Sequence, residues 1–508
     1  MTIEILDTTL RDGEQTSGVA FSASEKLSIA RKLIEEVGVD RIEVASARVS
    51  KGEFECVSEV TRWAREAGHL SKVEVLGFVD NGASIRWIKD AGGTVINLLA
   101  KGSLRHCQHQ LHKTPELHWE DIRNNVHTAI EEGLDVNLYL EDWSNGMKNS
   151  QDYVMGMIEN LKDLPIHRFL LPDTLGILDP EATGFFIRQM TELYPRLHFD
   201  FHAHNDYDLA VANVAAAVKA GARGVHVTVN GLGERAGNAS LSSVVAVLHD
   251  LVGADLRIRE QSINSISRMV ESYSGIACAA NAPIVGENVF TQTAGVHADG
   301  DKKDKLYFNA LLPERFGRTR EYALGKMSGK ANIEQNLQLL GINLDDASMR
   351  KVTQRINELG DKKELVSIDD LPYIIADVLH HDTPTESVKL VSYMVTTAYG
   401  LNPVASVKIE INGKEYEETA TGDGQYDAFV RAVRHIYRNS LNRTFPWLTN
   451  YAVTIPPGGR TDALVQTAIS WCYEGKVYRT RGLDADQTEA AIKATIKMLN
   501  LIEENYSK

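Results

Sequence analysis

Cysteine is scarce and scattered: the 508 residues hold four, Cys56, Cys107, Cys278 and Cys472, with no CxxC spacing, which argues against a disulfide framework or a cysteine zinc site. No unbroken apolar run reaches the roughly 18 residues of a membrane helix. The opening segment Met1–Asp7 has neither the basic nor the apolar stretch of a secretory leader. Positive charge is also in deficit. Lys+Arg 54 against Asp+Glu 69 leaves −15, which argues against sequence-independent binding to nucleic acid or anionic membranes. The expectation is a cytoplasmic protein with no membrane and no nucleic-acid partner, in which an anionic ligand must be met by local positive charge. What is present is an ordinary globular composition, 43% hydrophobic and 24% charged, long enough for two to four domains.

Runs rich in β-branched residues recur through the first 235 residues: Ile3–Asp7, Arg41–Ser46, Val73–Val79, Val95–Leu99, Val136–Glu141, Arg168–Asp173, His198–His204 and Gly224–Asn230. The stretches between them have helical periodicity. Ser22 and Glu25 form a capping box, after which Leu27, Ala30, Leu33, Ile34 and Val37 mark one apolar face, and Gly38 ends it. Eight strands alternating with helices over roughly 250 residues predict a (β/α)₈ barrel of the α/β class, with chemistry at the carboxyl ends of its strands. Polar residues collect at those ends: Arg11, Asp12, Asp80, Glu141, Asp142, Asp173, Thr174, His202, His204 and the loop up to Asn238.

In His202-Ala203-His204 the period-2 alternation of a strand points both imidazoles to one face, where they can grip one ion. Asp12 across the barrel mouth is the natural carboxylate ligand, and Asn238 can add a neutral oxygen. An isolated HxH is as often a pair of core or rim histidines; its place at a barrel strand end favours the metal. The cluster His106, Cys107, His109 and His112 looks metallic but drifts around a helix, and His380 and His381 read as a surface pair.

Four motifs in order, Leu10-Arg-Asp-Gly-Glu-Gln15, His202-Ala-His-Asn-Asp206, Gly231-Leu-Gly-Glu-Arg-Ala-Gly-Asn238 and Thr293-Ala-Gly-Val-His-Ala-Asp-Gly300, resemble the isopropylmalate, homocitrate and citramalate synthases of the DRE-TIM metallolyase superfamily. The resemblance covers essentially the whole chain. It implies a Claisen-type condensation of acetyl-CoA with a 2-oxo acid, on a divalent metal (Zn, Mn, Mg or Co) held by Asp12, His202 and His204. It further implies that Arg11 stabilises the developing alkoxide, that Thr174 holds the substrate carboxylate, and that Glu141 and His297 share acid and base work with Tyr307 beside His297. In the family the His297 segment reaches into a neighbouring subunit, so a homodimer with composite active sites is expected. Lys302, Lys303 and Lys305 follow it and could meet CoA phosphates, or be a solvated loop.

The positions that face the oxo-acid substituent in the family match Leu76, Leu99 and Tyr139, bulky residues that imply pyruvate and a citramalate product. The alternative is 3-methyl-2-oxobutanoate, hence 2-isopropylmalate. From Ser387 the pattern changes to strands with hairpins: Val388–Thr396, Ala405–Ile411, the Asn412-Gly413 turn, Lys414–Thr419 and a helix Tyr426–Tyr437. The same plan then repeats over Tyr451–Ile455, Leu464–Cys472, Lys476–Thr480 and a helix Asp486–Glu504, as in an internal duplication. This resembles the family's regulatory α+β domain, with Tyr426, Asp427, Leu448, Tyr451, Ile455, Val465 and Gln487 matching the inhibitor site and isoleucine the logical inhibitor; Ala485 departs from a family proline. The expected organisation is a catalytic barrel 1–271, connector subdomains 272–386 and a regulatory domain 387–508.

Three other readings compete. An amidohydrolase carries HxH on the first strand and histidines where this chain has Glu141 and Asp173. A lyase of the same superfamily carries a cysteine in a Gly-rich loop, and Cys278 lies in none. A non-catalytic amino-acid sensor would not need Arg11, Asp12, Glu141, His202, His204 and His297 together.

Overall fold

The computed structural model describes residues 2–340, 342–361, 366, 368, 371–379, 387–454, 465–474, 476–484 and 486–506. They form two compact units, 1–291 with 305–321, and 292–304 with 322–508. In the first, strands β1 (Glu4–Asp7), β2 (Arg41–Ser46), β3 (Val73–Phe78), β4 (Val95–Lys101), β5 (Asp135–Glu141), β6 (Ile166–Asp173), β7 (Phe199–Ala203) and β8 (Gly224–Val227) close into the expected parallel barrel. The seam is β1 on β8, with Glu4 opposite Gly224 and Asp7 opposite Val227. Strand ends differ from the sequence reading by up to three residues. β8 stops at Val227 because Val229–Gly231 turns into a 3₁₀ helix with Asn230 at φ 59°.

The first helix, Ala23–Arg31, has the predicted cap: the Ser22 hydroxyl accepts from the Glu25 N–H while the Glu25 carboxylate accepts from the Ser22 N–H. Ala30, Leu33, Ile34 and Val37 are buried as its face requires, and Gly38 adopts the left-handed conformation that ends the run. Lys26 on the same helix is fully buried, its ammonium 2.6 Å from Glu14 and 2.8 Å from Glu53, and so ties the Arg11–Gln15 loop to the scaffold.

Strand parity divides the barrel residues in two. Ile42, Val44, Val73, Val75, Ile96, Leu98, Val136, Leu138, Phe169, Leu171, Phe199 and Phe201 are buried against the helices, each worth roughly 1.5–3 kcal/mol. The opposite parity faces the axis, where branched apolar layers are usual. Here it carries Arg41, Glu43, Glu74, Asn97, Asn137, Asp200, His202 and His226, all buried, and all but His202 are joined to others of the group by hydrogen bonds.

In the second unit the helices Lys330–Leu339, Asp346–Asp361 and Leu371–Leu379 pack around Ile333, Leu337, Met349, Val352, Ile356 and Leu371. Beyond them, antiparallel strands β9 (Val388–Ala398), β10 (Leu401–Ile411) and β11 (Lys414–Thr421) precede the helix Gln425–His435. Strands β12 (Trp447–Thr454), β13 (Val465–Tyr473) and β14 (Lys476–Asp484) then precede the helix Gln487–Tyr506, so the expected duplicated plan is present. Asn412 and Gly413 both have positive φ, as a two-residue hairpin turn requires. Both halves feed one core that includes Ile409, Phe429, Val433, Ile469, Trp471 and Met498. None of the described helices is long and apolar enough to cross a membrane.

Candidate active site

The carboxyl ends of β1 and β7 bring together three ligand-type residues. Asp12 follows β1 in a tight turn, where the Thr8 carbonyl accepts from the N–H groups of Arg11, Asp12 and Gly13. His202 Nε2 lies 3.1 Å and His204 Nε2 3.7 Å from Asp12 Oδ2. Among the described residues this is the one group of at least three such side chains with convergent ligand atoms. Burial would raise the Asp12 carboxyl, but Arg11, 3.6 Å away, and the imidazoles outweigh it and hold the group well below the usual carboxylate range. Burial and the neighbouring His202 push His204 down to about 4, and burial also lowers His202.

Two neutral imidazoles and a carboxylate are poor in donors, and burying such a set is costly unless a cation shares it. Asp12 Oδ1 and Asn238 Oδ1 are buried with no hydrogen-bond partner among the described residues. Asn238 is placed by a backbone bridge to His204 and by its own amide, which donates to the Leu232 carbonyl at 3.1 Å. The donor set therefore fits a divalent ion. Replacing His202 with alanine should abolish stoichiometric Co²⁺ binding, read by visible absorption and calorimetry; retention of tight Co²⁺ binding by that variant would locate the ion elsewhere.

Arg11 Nε donates to Glu43 at 2.6 Å, and Nη2 lies 3.5 Å from the Tyr139 hydroxyl. Glu43 is held in turn by the Thr8 hydroxyl and the Asn97 amide, both at 2.8 Å. Leu76, Leu99 and Tyr139, on three strands, gather with Leu170 into one apolar cluster, and the Tyr139 ring stands edge-on to His202 with centroids 6.1 Å apart. Two residues beyond Tyr139, Glu141 is ion-paired with Lys101, its register partner on β4. The Thr174 hydroxyl accepts from the Asp142 N–H at 2.9 Å. His297 lies half-buried on the helix Gly295–Lys302 of the second unit, whereas Tyr307 belongs to the first unit and is 43% exposed.

The other expected sites divide. Tyr426 and Tyr451 pack with centroids 5.4 Å apart, and the Tyr426 hydroxyl meets Thr495 at 2.6 Å. Asp427 accepts from Arg431 at 2.8 Å, Val465 is buried, and Leu448 and Gln487 are exposed. Ile455, Ala485, His380 and His381 lie outside the described residues. Cys107 is buried, while His109 and His112 are exposed.

Glu43, Lys101, Asn97, Asn137, Asp200 and His226 went unread in the sequence. All but Lys101, which lies past the expected end of its strand, carried a signal: polar or ionisable residues on alternate positions of otherwise β-branched strands.

Residues 2–270 match the family model described as HMGL-like. The chain belongs to the HMGL-like family. Residues 284–364 match a homocitrate synthase post-HMGL domain-like model, and 365–503 a LeuA allosteric (dimerisation) domain. Full-length relatives place the chain in the branch of citramalate and isopropylmalate synthases, whose members condense acetyl-CoA with a 2-oxo acid. It is 35% identical over 504 residues to the (R)-citramalate synthase CimA of Methanocaldococcus jannaschii, covering 99% of this chain and 100% of that one. It is also 35% identical over 505 residues to a probable 2-isopropylmalate synthase of Methanopyrus kandleri, covering 98% of each. To the putative (R)-citramalate synthase CimA of Methanosphaerula palustris it is 36% identical over 504 residues, 98% of this chain and 96% of the relative. Equal identity to relatives named for different products leaves the choice of oxo acid to the pocket itself.

Proposed function

We propose that the chain condenses acetyl-CoA with pyruvate to give (R)-citramalate and CoA. The observation that carries this reading is the cluster Leu76, Leu99, Tyr139 and Leu170 beside the ligand His202. Bulky apolar side chains at these positions favour a methyl substituent over an isopropyl group.

Asp12, His202 and His204, with Asn238, would hold the divalent ion (Zn, Mn, Mg or Co), which when bound polarises the keto group of the oxo acid. Arg11, fixed by Glu43, offers its remaining N–H groups to the oxygen that gains negative charge as the acetyl methyl carbon bonds to the keto carbon. Thr174 orients the substrate carboxylate. Glu141, with His297 and Tyr307, takes the methyl proton and returns one to the alkoxide; water then cleaves the thioester and releases CoA. A three-part organisation, 1–271, 272–386 and 387–508, is supported in number by the three family models, which match 2–270, 284–364 and 365–503, the last starting ahead of the proposed boundary at 387. The LeuA allosteric (dimerisation) domain match supports a homodimer with a regulatory ligand; that His297 serves the partner's barrel, and that isoleucine binds at Tyr426, Asp427, Leu448, Tyr451, Ile455, Val465 and Gln487, extend this reading by the family resemblance. A cytoplasmic location is part of this reading.

Thiol release from acetyl-CoA by metal-loaded protein tests the reading. Pyruvate should exceed 3-methyl-2-oxobutanoate and 2-oxoglutarate by at least about 100-fold in kcat/KM. A preference for 3-methyl-2-oxobutanoate would move the protein to isopropylmalate synthesis, and silence with all three would favour an amino-acid sensor.

A further inference from the structure

Tyr139 is tied at its hydroxyl as well as packed at its ring. The phenolic oxygen lies 2.9 Å from His226 Nδ1, and His226 Nε2 lies 3.2 Å from Asp200 Oδ2. Asp200 accepts from Arg41 at 2.5 Å. All of Tyr139, His226 and Asp200 are at least 98% buried. The direction of this chain follows from what each end can do. A carboxylate already facing a guanidinium needs a donor from the imidazole, so Nε2 carries the proton and Nδ1 accepts. The phenolic O–H therefore donates to Nδ1, and its oxygen turns its lone pairs to Arg11 Nη2 at 3.5 Å, which can only donate.

We propose that His226 and Asp200, which touch no substrate, are positioning residues for oxo-acid selectivity: they pin Tyr139 edge-on to His202 and so hold the pocket at methyl size. The inference rests on the pyruvate reading of the same site. Without the anchor, the phenol loses its acceptor and its ring can swing off the cluster, which opens the room a longer substituent needs. A Tyr139 held by packing alone would not respond to the chemistry at position 226.

The experiment compares kcat/KM for pyruvate with that for 2-oxobutanoate in wild type, His226→Asn, His226→Gln, Tyr139→Phe and the Tyr139→Phe/His226→Gln double variant. Asparagine sets its amide oxygen near the place of Nδ1 and keeps the acceptor for Tyr139. Glutamine sets its amide nitrogen near Nε2 and keeps only the donor to Asp200. His226→Gln should lower the pyruvate preference about tenfold, mainly through a lower KM for 2-oxobutanoate, whereas His226→Asn should stay within about threefold of wild type. Tyr139→Phe should reproduce the glutamine effect, and adding His226→Gln to it should change the ratio less than about twofold. Equal effects of asparagine and glutamine, an unchanged ratio in Tyr139→Phe, or a further change in the double variant would each overturn the proposal. Both rates come from one preparation, so a partly folded fraction cancels from the ratio. A wild-type preference for 3-methyl-2-oxobutanoate would refute the pyruvate reading, and the response of the ratio would still judge His226 by itself.

Discussion

Replacing Arg11 with alanine should lower kcat for thiol release about 10³-fold and reduce folding stability by roughly 3–5 kcal/mol. Both effects come from one guanidinium. Its Nε donates to Glu43 at 2.6 Å and its Nη1 lies 3.6 Å from Asp12, with both carboxylates essentially buried. Burial would raise the Glu43 carboxyl, but Arg11 and the Asn97 and Thr8 hydrogen bonds outweigh it and hold the group below its ordinary range. Removing Arg11 leaves these charges in low dielectric with too few partners. The two consequences separate in Arg11→Ala/Glu43→Gln, where neutralising the carboxylate should recover much of the stability and none of the rate. Urea denaturation and steady-state kinetics on the same samples check this; recovery of rate in the double variant would show that Arg11 acts through folding rather than on the reacting atoms. Arg11→Lys should fall between, because an ammonium cannot serve Glu43 and Asp12 with the two-sided geometry of a guanidinium.

The barrel and the clustering of the two histidines were legible because each rests on a periodicity. Alternation puts His202 and His204 on one face, and eight β-branched runs with capped helices between them leave few other folds. The support beneath the ligands was harder to read, since Glu43, Asn97, Asn137 and Asp200 come from four strands and meet only when the barrel closes. Their polarity was visible, but their pairing depends on register, which a sequence states weakly when the strands are joined by whole helices. The β4 extension to Lys101 shows the same limit: the strand reads as ending at Leu99, yet two further residues pair with β5 and bring Lys101 against Glu141. In the C-terminal domain the Asn412-Gly413 turn carries its own signal, whereas the exposure of Leu448 and Gln487 follows from packing that no local pattern encodes.

Arg41→Met should destabilise the barrel by about 3–5 kcal/mol at pH 8, and by less at pH 5. Arg41 stands on the axis at the amino end of β2, donating to Glu74 at 2.9 Å and to Asp200 at 2.5 Å, with Glu4 3.3 Å away. Burial would raise the Asp200 carboxyl, but Arg41, followed by hydrogen bonds from histidine, outweighs it and holds the group well below the usual carboxylate range. In wild type the Asp200 contribution is therefore present above the unfolded carboxylate value of about 4 and is lost only as pH falls through the still lower folded value. Methionine fills much of the same volume but removes the largest opposition to burial and leaves only the histidine hydrogen bonds, so the folded-state value of Asp200 should rise past the unfolded one. The variant then gains stability as pH falls toward about 4, and the gap to wild type narrows. Urea midpoints at pH 8 and pH 5 measure that gap; a gap of constant size would show that Asp200 finds another cation when Arg41 is gone. The same substitution loosens the far end of the chain that runs through His226 to Tyr139. A folded Arg41→Met protein should therefore turn over 2-oxobutanoate more readily relative to pyruvate, which joins the stability of the barrel floor to the size of the substrate pocket at its mouth.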